Sequence, residues 1–198
     1  MTESNKEKLL EAGTNLLAEK TFSEITMDEV AQRSGLTKPM IYYYFENKEG
    51  FYKGLAQHLL RIIRGYVEKI FRPGRSLREC LYDMMNERVR FARENPGLSR
   101  AMMSMMHDPN IGRLIKKLQD EFGKYAEMIR PVFDAAVESG EIRADVPYTL
   151  TMMMINTTGV GYMVRILKGI DEPALPDPDA VVDLIYEGIA PRNSGEVE

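Results

Sequence analysis

An all-α fold is predicted by three observations. Apolar residues recur at three- and four-residue spacing through almost all of the 198 positions, as on one face of a helix. Runs that alternate Val, Ile and Thr between turn residues, the mark of strands, are missing. Ser4, Thr26 and Ser76 each stand three residues before a glutamate (Glu7, Glu29 and Glu79), the spacing of a reciprocal helix cap.

These signals divide the chain into about nine helices, expected at 4–20, 27–34, 38–44, 48–71, 76–94, 96–106, 109–139, 147–168 and 178–190. The first carries Leu9, Leu10, Gly13, Leu16 and Leu17 along one side. The second starts at Thr26, where Ile25 before the cap and Val30 after it have the spacing of a hydrophobic staple, and it stops at Gly35. Thr37 opens the third as its cap. Lys48 opens the fourth, which Arg72-Pro73-Gly74 closes. Ser76 starts the fifth. Asn95-Pro96, Asp108-Pro109 and Asp177-Pro178 start the sixth, seventh and ninth, since proline lacks the amide proton that the first helical position leaves unpaired anyway. Pro131 falls inside the seventh and is expected to kink or divide it, and Ser139-Gly140 ends it. A proline-rich stretch at 171–179 separates the last two helices, and the end of the chain is polar.

Composition narrows the class. A 44% hydrophobic share is that of a globular protein, and a net charge of −4 gives no general attraction to nucleic acid, so any such contact needs a local patch. Residues 1–64 hold nine Lys or Arg against nine Asp or Glu, so cations there have to be positioned, not abundant. A single Cys80 forms no intrachain disulfide, and with charge from residue 3 onward and no run of about eighteen apolar residues, a cytoplasmic protein without a membrane partner is expected. No Cys or His spacing suggests a metal site, and no cofactor is expected. No Ser/His/Asp, Cys/His or phosphate-loop pattern stands out, so the chain reads as not an enzyme, an all-helical enzyme being the lesser alternative.

Function enters at residues 26–44, two short helices joined through Gly35-Leu36-Thr37 in the proportions of a helix-turn-helix, with the first helix to hold them. The segment "ITMDEVAQRSGLTKPMIYYYFENKEGFY", residues 25–52, resembles the DNA-binding segment of the tetracycline-repressor (TetR) family of bacterial transcription regulators. The likeness lies in the apolar-Thr helix start, the "VAQRSGLTK" turn, the "IYYYF" helix and Lys48. Motif resemblance runs over roughly residues 5–55, and the rest matches the family in length, helical character and final helix pair.

At about 100° per residue, Ile41 and Phe45 share an inward face of the third helix with Tyr44 on its flank, while Pro39, Met40, Tyr42 and Tyr43 turn outward. Given the resemblance, the expected DNA contacts are Thr26, Thr37, Lys38, Pro39, Met40, Tyr42, Tyr43 and Lys48. The alternative for this segment is a protein-interaction module whose helix-turn-helix no longer binds DNA.

The resemblance also implies a homodimer, a double-stranded operator and a small-molecule effector. Apolar stripes assign Leu150, Met154, Thr157, Gly161 and Val164, with Val181, Leu184, Ile185 and Gly188, to the dimer interface, where Gly159 and Gly161 would allow close approach. Effector candidates are Met102, Met106, His107, Tyr125, Met128, Met153, Asn156, Tyr162 and Arg165, polar groups interrupting apolar surface that suits an apolar or aromatic ligand. By role, the chain divides into a DNA-binding domain at 1–47, a connecting helix at 48–71, an effector and dimerisation domain at 72–192 and a tail at 193–198. The expected function is a repressor released from a palindromic operator by its effector.

Overall fold

A computed structural model describes residues 4–108, 119–170 and 175–190. Among these residues stand nine helices and no strand: α1 (Asn5–Leu17), α2 (Met27–Ser34), α3 (Lys38–Phe45), α4 (Lys48–Ile70), α5 (Leu77–Glu94), α6 (Pro96–Met106), α7 (Gln119–Glu138), α8 (Tyr148–Leu167) and α9 (Pro178–Ile189). The expected start of the seventh helix at Asp108-Pro109, part of the proline-rich stretch and the tail at 193–198 fall outside the described residues.

All three reciprocal caps are present. Ser4, Thr26 and Ser76 each accept from the amide of the glutamate three residues on, and each glutamate returns to the capping amide. Two other caps differ from expectation: neither Thr37 nor Asn95 caps its helix through the side chain, whereas Asp177, also followed by proline in the first turn, does. The first helix also ends at Leu17, not near residue 20. Thr21 and Glu24 form a further capping box there, around a short 3-10 turn at Phe22–Glu24 that the sequence reading missed. Pro131 neither ends nor divides α7, whose helix continues to Glu138 with the ring on an exposed face.

The chain packs as two compact units, Met1–Arg64 with Asn95–Gly123 and Gly65–Glu94 with Lys124–Glu198. In the first, α1 packs on α2 and α6, and α2 packs on α3. Leu9, Leu10, Ile25, Val30, Ile41, Phe51 and Leu55 are fully buried there. Two glycines of α4 make α3 fit. A Cβ on Gly50 would overlap the Phe45 carbonyl oxygen, and one on Gly54 would lie 2.7 Å from the Phe45 ring. Asn47 Oδ1 accepts from the Gly50 amide at 2.8 Å, so the start of α4 is fastened where α3 ends.

In the second unit α5 is packed by α8 and α9. Gly140, at φ 74°, turns the chain after α7 and lets Glu141 reach the first amides of α5, Leu77 N at 3.1 Å and Arg78 N at 2.9 Å. Asp183 of α9 accepts from Arg78 at 2.7 Å and from the Tyr82 hydroxyl. Arg143 holds the last carbonyls of α9, its amide donating to Ile189 O and its guanidinium to Gly188 O. The middle and the end of α9 are therefore tied down, and the outer face it presents has a fixed position within this unit.

Candidate nucleic-acid interface

Helix α2 stops because Gly35 takes the left-handed conformation, φ 69°, and the Leu36 amide returns to Ala31 O. Two residues later α3 begins. Ile41 and Phe45 are its buried face, Tyr44 is half-buried, and Tyr42 and Tyr43 are 41% and 81% exposed, as the rotation predicts. Tyr43 is held although exposed: its ring meets that of Tyr44 edge-on at 5.1 Å. Pro39 is exposed and Met40 half-buried. The Thr37 hydroxyl makes no cap and faces solvent.

The hydroxyl of Thr26 is engaged, by contrast, accepting from Glu29 N and donating to Glu29 Oε2. Acidic Asp28 and Glu29 already occupy this helix start. Glu29 also receives the Lys20 ammonium, and that hydrogen bond first, with the Thr26 amide and hydroxyl next, holds its carboxyl down to about 2. Its folded value lies below the ordinary 4.5, so its support of α2 is complete above pH 4.5 and fades as the pH falls through about 2. A carboxyl titration followed by NMR should place the midpoint of Glu29 near 2, and a midpoint near 4.5 would deny the cap in solution.

The cations around this segment are also engaged. Lys38 pairs with Asp28 at 2.9 Å, and Arg33 is gripped by both oxygens of Glu19 at 2.8 and 3.0 Å. Lys48 donates to Ser23 O at 3.1 Å and Ile25 O at 2.6 Å and lies over the Phe22 ring, which stacks in turn on Tyr52. An ammonium has three donors, so two of those on Lys48 fasten the turn before α2 and one is left. None of these partners was expected from the sequence. The pairs join residues 10 to 25 positions apart and carry no signature shorter than the fold.

The effector candidates are divided between the two units, Met102, Met106 and His107 in the first and the others in the second. Met102 is buried, whereas Met106 is exposed and His107 takes the C-cap of α6, its ring nitrogen on Met103 O at 2.8 Å. In the second unit Met128 is half-buried and Tyr162 is buried, donating to Pro176 O. Asn156 accepts from Arg88, which also donates to Ile155 O. Met153 and Arg165 are exposed, and the side chain of Tyr125 lies outside the described residues. Gly159 has its own explanation: a Cβ there would stand 2.5 Å from the Arg88 guanidinium, so this glycine makes room for Arg88 within the chain.

Of the interface candidates, Leu150, Met154 and Leu184 are exposed, as are Thr157, Gly161 and Gly188, while Val164 and Val181 are half-exposed. Ile185 is turned inward and buried, and Met153 joins the exposed stripe instead. Among the described residues no group of three or more His, Cys, Asp or Glu could hold a metal ion, and no helix is long and apolar enough to cross a membrane.

Residues 9–55 match the family model for bacterial regulatory proteins of the tetR family. The chain is 21% identical over 203 residues to the HTH-type transcriptional repressor AcnR of Corynebacterium glutamicum, covering 96% of this chain and 95% of that one. It is 23% identical over 119 residues to nucleoid occlusion factor SlmA of Actinobacillus pleuropneumoniae serotype 5b, a match that spans 58% of this chain and 59% of SlmA. A TetR family transcription regulator from Marinobacter aquaeolei VT8 superposes with a TM-score of 0.74 at 22% identity, over 95% and 96% of the two chains. The regulator FadR from Bacillus subtilis, solved with stearoyl-CoA, gives 0.78 at 18% over 92% and 98%. At such identities the superpositions show the fold alone.

Proposed function

This chain carries, in residues 9–55, the domain of the tetR family of bacterial regulatory proteins, and from that premise we propose that it is a ligand-responsive, DNA-binding transcription regulator, a homodimeric repressor of a palindromic operator. The observation that carries the reading is α3: two anchors, Ile41 and Phe45, fix a helix whose opposite face offers Thr37, Pro39, Tyr42 and Tyr43 to a partner. Such a helix fits a major groove, its hydroxyls meeting phosphates and base edges. Lys38 and Lys48 contribute positive charge at the two flanks, less than a free ammonium would, because each is already engaged. The division by role, 1–47, 48–71 and 72–192, belongs to this proposal and differs from the packing units, which group 95–123 with the first 64 residues.

The exposed stripes of α8 and α9 are the proposed dimer surface, through which two copies present two α3 helices to half-sites about 34 Å apart. The effector is an apolar or aromatic small molecule, a class supported by the apolar acyl chain of the stearoyl-CoA bound in the FadR structure. Met128, Asn156 and Tyr162 are kept as its contacts in the second unit. By linkage, the factor by which the effector weakens the operator is the factor by which the operator weakens the effector.

Selection from a random pool of DNA duplexes should enrich a palindrome, and enrichment of no sequence would reject the reading in favour of a protein-interaction module. Tyr42→Phe should lower affinity for the selected duplex by about three- to tenfold per half-site, the worth of one hydrogen bond, with the melting temperature unchanged. Equal affinity would remove Tyr42 from the contacts.

A further inference from the structure

Guanine is read in the major groove chiefly by Arg or Lys at its N7 and O6, adenine by Asn or Gln, and thymine by apolar contact with its C5 methyl. Helix α3 contains no Arg, Asn or Gln, and its one cation is Lys38. That ammonium is held 2.9 Å from Asp28 Oδ2, and the cations nearest in sequence, Arg33 and Lys48, are held by Glu19 and by the Ser23 and Ile25 carbonyls. The surface left to meet a base edge is the Thr37 hydroxyl at the helix start, a pyrrolidine ring at Pro39, a thioether at Met40 and the phenols of Tyr42 and Tyr43. The outermost ring is braced edge-on by Tyr44, so it offers a rigid apolar face with little entropy to lose.

We propose, resting on the DNA-binding reading above, that α3 reads its half-site through thymine methyl groups and not through guanine, with Asp28 as the specificity-determining residue that withholds Lys38 from guanine. Asp28 acts in two ways: its carboxylate competes with N7 and O6 for the ammonium, and its own charge repels the phosphates on either side.

The test uses the full-length protein and a duplex selected from a random pool. The duplex is resynthesised with deoxyuridine for single thymines, which removes only a methyl, or with 7-deazaguanine for single guanines, which removes only N7. Deoxyuridine at a contacted thymine should weaken binding about fourfold, and 7-deazaguanine should leave it within about twofold at every position. In Asp28→Asn, whose helix cap at Thr26 and Glu29 is untouched, 7-deazaguanine should become costly because Lys38 is released. A larger loss from 7-deazaguanine than from deoxyuridine in the unaltered protein overturns the proposal. Continued indifference of Asp28→Asn to 7-deazaguanine overturns the role of Asp28. A pool that yields no bound duplex overturns the DNA-binding reading, and this inference with it.

Discussion

Leu184→Glu should give a folded monomer that binds the selected duplex about a hundred- to ten-thousandfold more weakly than the unaltered protein, although residue 184 is nowhere near α3 in sequence. Leu184 is 73% exposed, so the substitution removes no core contact. On the same outer face stand Val181 and Gly188, one turn away on either side, and α8 offers Leu150, Met153, Met154, Thr157 and Gly161. Two copies joined through these stripes would bury two new carboxylates without partners, at several kcal/mol each. Losing the dimer makes the second half-site contact a separate event, and the avidity factor of about 10² to 10⁴ goes with it. Gly161→Glu should act alike, since a Cβ there meets nothing within 4 Å. Sedimentation, circular dichroism and a binding titration check the three parts. A dimer that persists would mean that the stripes serve another partner, and a monomer that binds as tightly as before would mean that pairing adds nothing to DNA affinity.

Gly50→Ala is expected to have the second large effect, through a single added methyl. The new Cβ would overlap the Phe45 carbonyl oxygen, a backbone atom that cannot swing aside as a side chain can. Either α4 or the end of α3 has to move, which costs about 2–3 kcal/mol and lowers the melting temperature by about 10 °C. The junction has little slack. Glu46 already sits at a positive φ of 62°, and Asn47 and Phe51 hold the start of α4 against it. The same substitution at Gly65, in the same helix with no neighbour within 4 Å, should be neutral or stabilising by up to about 1 kcal/mol. A thermal melt of both variants decides the matter. Equal melting temperatures would show that the close approach of α3 and α4 is relaxed in solution.

Much of the fold was legible because its signals are local. A cap is a relation between residues three apart, and a helix face one between residues three or four apart, so Thr26 with Glu29, or Ile41 with Phe45, can be read without knowing where the chain goes. The two misjudged caps, at Thr37 and Asn95, have no such local mark, since Asp177 does cap with a proline in the first turn. Gly159 and Gly161 mark the limit of that kind of reading. Both looked like places for a symmetry mate to approach, yet one is filled by Arg88 from α5 and the other is open.

By itself, the sequence determined the helices, the helix-turn-helix and the face of α3 that turns outward, because backbone hydrogen bonding and rotation per residue are set within a few positions. Tertiary structure alone decided which cations are engaged, since Lys38 with Asp28, Arg33 with Glu19 and Lys48 with two carbonyls meet only when distant segments fold together. It likewise decided that Gly50 and Gly54 seat Phe45, a steric fact that no periodicity encodes. Charge and close contact fall off within a few ångströms of space, and positions along the chain do not measure that distance.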